Sequence, residues 1–285
     1  MAVMNMEAKA AELYLDLMKK CLTRYIFPET VRPLRRPPLT IKHLAWAAYP
    51  PIASFLEKRG MRIYTQANVD LARREEGRDW PADAETMIGL KRLDNLQWCI
   101  AEVLREGVPG DLIETGVWRG GACIFMRAAL EAYGDTARQV WAADSFEGLP
   151  KPDGRYAEDA GDRHWKKSDV LGVSLEQVKA NFAKYGLLDE RVHFLKGWFK
   201  DTLSTAPIER LAILRLDGDM YASTMDALVN LYPKVSAGAF VIVDDYGEVE
   251  TCRKAVEDFR SSQGIGEPLS AIDQSGVWWR KAVSL

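Results

Sequence analysis

The chain has 285 residues, of which 47% are hydrophobic, so it can bury one full core or form one domain with an extension. Its 38 basic and 41 acidic residues give a formal charge of -3, which excludes a global attraction to nucleic acid or to an anionic membrane. The four cysteines lack metal-binding spacing, and no apolar run reaches the roughly 20 residues of a membrane span. We therefore expect a cytoplasmic protein of enzyme size, without a zinc site or a disulfide framework.

Residues 1–78 are predicted to form an N-terminal helical extension ahead of a larger domain over residues 79–285. From Met6 to Phe27, apolar residues recur at helical spacing with charges between them, which predicts a helix with one apolar face. That face must pack against the body of the protein or against another chain, so we expect a homodimer or a larger homo-oligomer. The basic run over residues 31–42 is interrupted by prolines, which is more typical of a solvated connector than of a nucleic-acid site.

After a predicted helix over Ala84 to Gly107, short apolar strands alternate with helices to the end of the chain. The first five predicted strands lie in the segments GDLIET, QVWAAD, VHFLK, LAILRLD and AFVIVDD. Helices are predicted over residues 176–186, 224–235 and 252–264, and two more strands over residues 269–272 and 277–282. This alternation predicts an open, mostly parallel α/β sheet of seven strands with helices on both faces.

Acidic residues follow two of these strands, at the point where each strand ends. Asp217 and Asp219 follow LAILRL, and Asp244 and Asp245 follow AFVIV. If the two strands are parallel neighbours, their ends lie about 5 Å apart, so carboxylates from both strands can reach one small cation with bonds of about 2.1 Å. Without a cation, four crowded carboxylates would repel one another and take up protons. The pattern therefore predicts a divalent metal site.

A glycine-rich turn, ETGVWRGG from Glu114 to Gly121, follows the first strand and opens a helix. Glycine lets the backbone approach a ligand closely, but the spacing is not the GxGxxG of dinucleotide-binding proteins. The acid before the turn suits a cationic ammonium, Asp144 at the next strand end suits ribose hydroxyls, and Trp198 after the third strand suits adenine. Together these positions predict S-adenosylmethionine as the ligand rather than NAD.

The two predicted sites together indicate a reaction. A metal ion beside a bound methyl donor suits the methylation of a hydroxyl group, because the cation orients the acceptor oxygen and lowers its pKa. A nearby carboxylate can then take the proton as a general base.

A long charged segment over residues 148–174 separates the second strand from the next helix. Segments of this length in a compact domain are typically lids or inserts, and we expect this one to close over the acceptor. His164 in this segment either assists the chemistry or lies at the surface.

Several segments resemble the macrocin O-methyltransferase family, in order and with matching gaps, from about Asp79 to Arg280. They are TMIGLKRLDNL, ETGVWRGGACIF, AADSFEGLPKP, YGLLDE, LKGWFKDTL, LRLDGDMY and VIVDDYG. The resemblance implies a class I S-adenosylmethionine-dependent methyltransferase, with a Rossmann-like α/β fold. It also implies a magnesium-dependent enzyme that methylates a sugar hydroxyl of a glycosylated natural product or of a nucleotide sugar.

The resemblance also implies roles for individual residues. The implied magnesium ligands are Asp217, Asp244 and Asp245, and the implied general base is Asp219. The implied cofactor contacts are Met87, Glu114, Gly116, Asp144, Ser145 and Trp198. A lid acid, Asp159 or Asp162, is the alternative base. The chain departs from the family pattern at Glu85, where relatives carry histidine, and in the length and content of the lid.

Three other functions stay open on the sequence alone. A catechol-type O-methyltransferase has the same metal chemistry but takes a flat aromatic diol. An NAD-dependent oxidoreductase shares the fold class, although the missing GxGxxG and the acid cluster argue against it. The third is a catalytically silent binding protein, and the presence of all four strand-end acids argues against that function.

Overall fold

The computed structural model describes residues 2–34 and 49–282. A small sheet contains β1 (Val31–Pro33) and β2 (Tyr64–Gln66). The main sheet contains β3 (Asp111–Thr115), β4 (Val140–Asp144), β5 (Val192–Lys196), β6 (Leu211–Leu216), β7 (Val235–Val243), β8 (Ser270–Ala271) and β9 (Val277–Arg280). The helices of the described ranges are α1 (Ala2–Leu22), α2 (Tyr49–Glu57), α3 (Leu71–Glu75), α4 (Gly89–Arg105), α5 (Gly121–Ala132), α6 (Ser168–Leu171), α7 (Leu175–Lys184), α8 (Phe199–Thr202), α9 (Tyr221–Leu231) and α10 (Glu250–Ser262).

The main sheet has the strand order β5-β4-β3-β6-β7-β9-β8. Neighbouring strands from β5 to β7 are parallel, whereas β9 runs antiparallel to β7, and β8 runs antiparallel to β9. Every residue of β6 is buried, as expected for a strand of a parallel sheet that is covered on both faces. The predicted seven-stranded, mostly parallel α/β sheet is confirmed.

The order of the strands reverses between β3 and β6. From β3 the chain moves outward through β4 to β5, and it then returns to the other side of β3 with β6 and β7. Open α/β sheets bind ligands at such a switch point, beyond the carboxyl ends of the strands. Backbone pairing continues past the strand ends, because Asp217 N–H donates to Thr115 O and Asp244 N–H donates to Leu216 O, both at 2.9 Å. The acids that follow β6 and β7 are therefore neighbours.

The N-terminal helix packs on the main domain through one face. Leu15, Met18 and Leu22 of α1 are buried in the same hydrophobic cluster as the residues of the sheet. Elsewhere on this helix, Met6 and Leu13 are 72% and 62% exposed. Because α1 shares the core of the main domain, the predicted boundary after residue 78 stays a prediction.

The helix α4 begins later than the sequence indicates. The prediction places its start at Ala84, but the structure places it at Gly89. The Glu85 carbonyl oxygen, which a helix from Ala84 would use to accept the Gly89 N–H, accepts the Gly121 N–H at 3.0 Å instead. The N–H groups of Glu85 and Thr86 donate to the Leu22 carbonyl oxygen, at the end of α1, at 3.0 and 3.2 Å. This contact holds the segment before α4 against the N-terminal helix.

Part of the N-terminal extension lies outside the described residues. This applies to residues 35–42 of the predicted basic connector and to residues 43–48 of the apolar stretch that follows it. The rest of that stretch includes α2, which has no buried residue. Across residues 2–34 and 49–282, none of the helices combines the length and the apolar character needed to cross a membrane.

Candidate active site

A cavity of about 900 Å³ opens beyond the carboxyl ends of the strands from β3 to β7. It brings together the ten residues with a predicted metal, cofactor or base role outside the lid, namely Met87, Glu114, Gly116, Asp144, Ser145, Trp198, Asp217, Asp219, Asp244 and Asp245, whereas the alternative base Asp162 is not among its lining residues. Asp159 and His164 of the predicted lid also line it. The sequence therefore located the cavity, whereas the roles of the individual residues stay predictions.

Three carboxylates converge at the ends of β6 and β7. Asp217, Asp244 and Asp245 each place a possible ligand oxygen within 4.8 Å of the others. Burial and the charge of Asp244 raise the pKa of Asp217. Burial and the charge of Asp219 raise the pKa of Asp245 in the same way. A cation would relieve this repulsion, and since carboxylate oxygens are the ligands that hard divalent cations prefer, these residues fit magnesium.

A buried arginine holds this acid cluster in place. Arg215 is the one charged residue of β6, and it is 1% exposed. Its Nη1 donates to Glu114 Oε1 at 2.5 Å and to Asp217 Oδ2 at 2.7 Å, and its Nη2 donates to Asp244 Oδ1. One guanidinium thus offsets part of the negative charge of three carboxylates, which would be strongly destabilising if they were buried without it.

A second buried arginine reaches the cluster from α4. Arg92 Nη1 donates to Asp244 Oδ2, and Arg92 Nε donates to Asp273 Oδ2 at 2.8 Å. The Ser275 hydroxyl also donates to the Asp244 carbonyl oxygen at 2.7 Å. Each carboxylate oxygen of Asp244 therefore accepts one bond from an arginine and retains a lone pair for a further partner.

The sequence reasoning missed both arginines, although each had a signal. Arg215 interrupts an otherwise apolar strand, and a charged residue in such a place must be paired once it is buried. Arg92 lies one helical turn before Leu96, on the face of α4 that the apolar pattern predicts to be buried. Neither signal identifies the partner, because the partners lie far away in the chain.

The carboxylate of Asp144 is fixed by backbone groups at the end of β4. Its Oδ2 accepts the Val117 N–H at 2.7 Å, and its Oδ1 accepts the Phe146 N–H at 2.7 Å. Burial raises the pKa of Asp144. Beside it, the Ser145 hydroxyl donates to Gly148 O at 2.7 Å. A carboxylate oxygen can accept a second hydrogen bond, so Asp144 keeps the capacity to bind hydroxyl groups.

Glu114 lies on β3 beside Ala142 of β4 and is 2% exposed. Both of its carboxylate oxygens have protein partners, because Oε1 accepts from Arg215 and Oε2 accepts from Cys123 Sγ at 3.1 Å. Burial raises the pKa of Glu114. Its contact with the cationic end of a cofactor stays a prediction.

Two glycines of ETGVWRGG lie close to the protein's own backbone. A Cβ on Gly116, whose φ is 91°, would lie 1.8 Å from the Asp217 carbonyl oxygen. A Cβ on Gly121 would lie 2.6 Å from the Glu85 carbonyl oxygen. These distances show close approach to the backbone of the protein itself, and the predicted close approach to a ligand stays a prediction. Glycine lets the end of β3 pass the end of β6 and lets α5 begin against the segment before α4.

Unusual backbone conformations are concentrated at the same turns. Trp118, Phe146 and Asp219 have φ values of 46°, 58° and 56°, and they follow β3, β4 and β6. Such conformations cost about 1–3 kcal/mol each, and they persist where the surrounding structure enforces them, often at functional sites. In the last of these turns, Asp219 N–H donates to Asp245 Oδ2 at 3.3 Å, which links the turn to the acid cluster.

A buried carboxylate anchors the predicted lid to the body of the protein. Asp159 is 2% exposed and accepts the N–H groups of Tyr221 and Ala222, both at 2.9 Å. These are the first N–H groups of α9, whose N-cap residue Met220 forms no side-chain cap bond. Asp159 therefore caps α9 from the lid.

The other lid acid is paired with the lid histidine. Asp162 Oδ1 accepts the His164 N–H at 2.6 Å and lies 3.0 Å from His164 Nδ1. Both acids that the sequence offered as alternative bases thus have partners within the protein, and a catalytic role for either stays a prediction.

We expect Asp159→Ala to loosen the lid. The variant lacks both bonds to α9, so its free energy of unfolding should fall by about 1–2 kcal/mol, and trypsin should cleave residues 148–174 faster. Chemical denaturation and limited proteolysis measure these effects. Glu158→Ala, which changes the exposed acid beside it, is the matched control. Equal cleavage rates in the two variants would contradict the anchoring role.

Glu85, where the chain departs from the family pattern, does not line the cavity. Glu85 is 9% exposed and accepts the Tyr185 hydroxyl at 3.0 Å, with Lys184 Nζ at 3.7 Å. Both partners lie at the end of α7. Burial and the charge of Glu85 raise the pKa of Tyr185. This position therefore stabilises the packing of α7 and does not line the cavity.

Comparison with known proteins supplies further information. A family model described as Macrocin-O-methyltransferase (TylF) matches residues 11–281. The 8-demethyl-8-(2,3-dimethoxy-alpha-L-rhamnosyl)-tetracenomycin-C 4'-O-methyltransferase of Streptomyces olivaceus is 52% identical over 276 residues, which are 96% of this chain and 95% of that protein. The demethyldecarbamoylnovobiocin O-methyltransferase of Streptomyces niveus is 56% identical over 213 residues, which are 73% of this chain and 80% of that protein. The solved structure of the O-methyltransferase NovP is similar with a TM-score of 0.80 and 45% identity, covering 96% of this chain and 100% of that one.

Proposed function

Because this chain belongs to the macrocin O-methyltransferase family, we propose that it transfers a methyl group from S-adenosylmethionine to a sugar hydroxyl of a glycosylated natural product or of a nucleotide sugar. The chain is an O-methyltransferase with the class I fold. The name of the Streptomyces olivaceus relative specifies a rhamnosyl group, which supports a sugar acceptor. In the structure, the proposal depends on one observation, the convergence of three carboxylates and the glycine-rich turn in one cavity.

The residues of the cavity fit both of the groups that the reaction needs. The proposed magnesium ligands are the carboxylates of Asp217, Asp244 and Asp245. The proposed contacts with S-adenosylmethionine are Met87, Glu114, Gly116, Asp144, Ser145 and Trp198. S-adenosylmethionine supplies an electrophilic methyl group, and magnesium supplies a positive charge that orients a hydroxyl and lowers its pKa. Arg215 and Arg92 hold Asp244 from two sides, so the ligand set is arranged in advance.

We assign the general base to Asp219. It lies in the turn after β6, two positions beyond Asp217, where it lines the cavity and is partly buried. Its carboxylate takes the proton of the acceptor hydroxyl as the hydroxyl oxygen forms its bond to the methyl carbon. The carbon–sulfur bond breaks in the same step, and its electron pair stays on sulfur. The products are a methyl ether and S-adenosylhomocysteine.

Binding and turnover measurements test the proposal. Calorimetry with S-adenosylhomocysteine and with NAD separates a methyltransferase from an oxidoreductase, and a magnesium titration follows in the presence of S-adenosylhomocysteine. Mass spectrometry then detects methyl transfer to a panel of rhamnosides and catechols. Methylation of catechols without methylation of any glycoside would favour the catechol-type alternative, and binding of NAD alone would overturn the proposal.

We also propose that the protein is a homo-oligomer, because α1 exposes Met6, Leu13 and Leu17. Several exposed apolar side chains on one helix are typical of an association surface. We expect the Leu13→Glu/Leu17→Glu variant to be a monomer by size-exclusion chromatography with light scattering. Ala8→Glu, at an exposed position on a different side of the same helix, should keep the mass of the unmodified protein. A monomeric unmodified protein would contradict this proposal.

A further inference from the structure

Two lysines lie against one indole ring in the predicted lid. The Nζ atoms of Lys151 and Lys166 lie 5.0 and 5.6 Å from the ring centroid of Trp165, within the range of cation–π attraction. Both lysines are exposed, and the tryptophan is partly buried. All three line the cavity that also contains the acid cluster. Attraction to the ring therefore stabilises both amines at the wall of the cavity.

Within residues 2–34 and 49–282, the acids of the protein do not neutralise these two amines. Among the carboxylates that the structure describes, none forms an ion pair with either amine. Neighbouring cations differ, because Arg155 pairs with Asp226 at 2.8 Å and with Asp153 at 2.7 Å, and Lys200 pairs with Asp153 at 3.2 Å. Within the described part of the chain, the two amines are therefore cations without an ion-pair partner on the lid side of the cavity.

The backbone holds both lysines in defined places. Lys151 lies between two prolines, which restrict the conformations available to the chain around it. Lys166 lies in a short helical turn over residues 164–167, and the first N–H of that turn donates to Asp162 at 2.6 Å. Ordering the side chains for a ligand therefore needs little rearrangement of the backbone.

The cavity is polarised as a result, with acids at the strand ends and unpaired amines at the lid. A negative group is attracted to the lid side, away from the strand ends where the sugar hydroxyl reacts. We propose that Lys151 and Lys166 form a subsite for an anionic group of the acceptor, located beyond the sugar that is methylated. This subsite rests on the proposed function, which places the reacting hydroxyl at the acids. The anion is either the diphosphate of a nucleotide sugar or an acidic group on an aglycone.

Calorimetry in the presence of S-adenosylhomocysteine and magnesium measures the subsite directly. Two matched probes, 4-carboxyphenyl and 4-carbamoylphenyl α-L-rhamnopyranoside, have similar shapes and differ in charge. We expect the carboxylate to bind about tenfold more tightly at low salt, and we expect the difference to shrink as ionic strength rises. Thymidine diphosphate rhamnose, compared with free rhamnose, tests the diphosphate as the source of the charge.

The lysines can be tested with a matched set of variants. Lys151→Ala/Lys166→Ala should lose the preference for the charged probe, and Lys151→Arg/Lys166→Arg should keep it. Lys179→Ala is the control, because its Nζ also lies over an aromatic ring, 5.3 Å from the centroid of Phe194, but outside the cavity. Binding of S-adenosylhomocysteine is measured first in each variant, so that a folding defect is recognised.

The outcomes distinguish the subsite from the proposed function. The subsite is overturned if the charged and neutral members of both probe pairs bind equally well. It is also overturned if the preference for the charged member survives in the double alanine variant. Either result leaves the methyltransferase assignment intact. Failure of the unmodified protein to bind S-adenosylhomocysteine would instead overturn the proposed function. If the lysines favour only the nucleotide sugar, the anion of the acceptor is a diphosphate. If they favour only the carboxyphenyl rhamnoside, the anion is an acidic group on an aglycone.

Discussion

Asp217→Ala is expected to lower kcat/KM for methyl transfer by at least about a thousandfold, because it removes one of the three carboxylates that converge at the strand ends. Calorimetry in the presence of S-adenosylhomocysteine should show the loss of magnesium binding. Asp217→Asn is the matched variant, since the amide keeps the shape of the side chain and an oxygen that can accept from Arg215, 2.7 Å away. It should lose activity in the same way while it keeps the stability of the unmodified protein more closely.

Removal of the metal tests the same site without a mutation. A chelator should abolish turnover by the unmodified protein, and added magnesium should restore it. Circular dichroism before and after chelation shows whether the fold is retained. Turnover that continues after chelation, or an Asp217→Asn variant with unchanged kcat/KM, would contradict a catalytic role for the metal.

Arg215→Met is expected to lower the free energy of unfolding by about 3–5 kcal/mol at neutral pH. The change leaves Glu114, Asp217 and Asp244 without the guanidinium that all three share. Urea unfolding measures the loss. Arg105→Met is the control, because Arg105 also pairs with two acids but its side chain is 63% exposed, so its removal should change stability little.

The loss in Arg215→Met should grow as the pH rises. Burial already raises the pKa of Glu114 and Asp217, and removal of the guanidinium raises both further. A carboxyl group whose pKa is raised on folding stabilises the protein below its unfolded pKa of about 4, and this contribution is lost as the pH rises through the folded pKa. The loss should therefore be smaller at about pH 5 than at about pH 8. A loss that is larger at the lower pH would contradict this account.

The position of the site could be predicted because its signals are local in the chain. LAILRLD and AFVIVDD each contain a buried strand and the acid that follows it, so one segment gives both the strand and the side chain at its end. The same holds for Asp144 after VWAA. Parallel pairing then brings these ends to one edge of the sheet, which is a general property of the fold.

Contacts between distant segments could not be predicted in this way. Arg92 and Asp244 are 152 positions apart, and Asp159 and Tyr221 are 62 apart, so no local pattern identifies either pair. The close approach of Gly116 to the Asp217 carbonyl oxygen cannot be read from the ETGVWRGG segment either, because Asp217 lies in the turn after β6. The start of α4 was predicted too early for a similar reason, since the Glu85 carbonyl oxygen accepts an N–H from Gly121, far along the chain, instead of one from Gly89.

The guanidinium of Arg215 also makes the folding of three strands interdependent. Its carboxylate partners lie on β3 and immediately after β6 and β7, so they belong to segments that are separate in the chain. If β6 paired with only one of its neighbours, the buried guanidinium would lose one of its carboxylate acceptors, which is costly in the protein interior. We therefore expect β3, β6 and β7 to form and unfold as one cooperative unit.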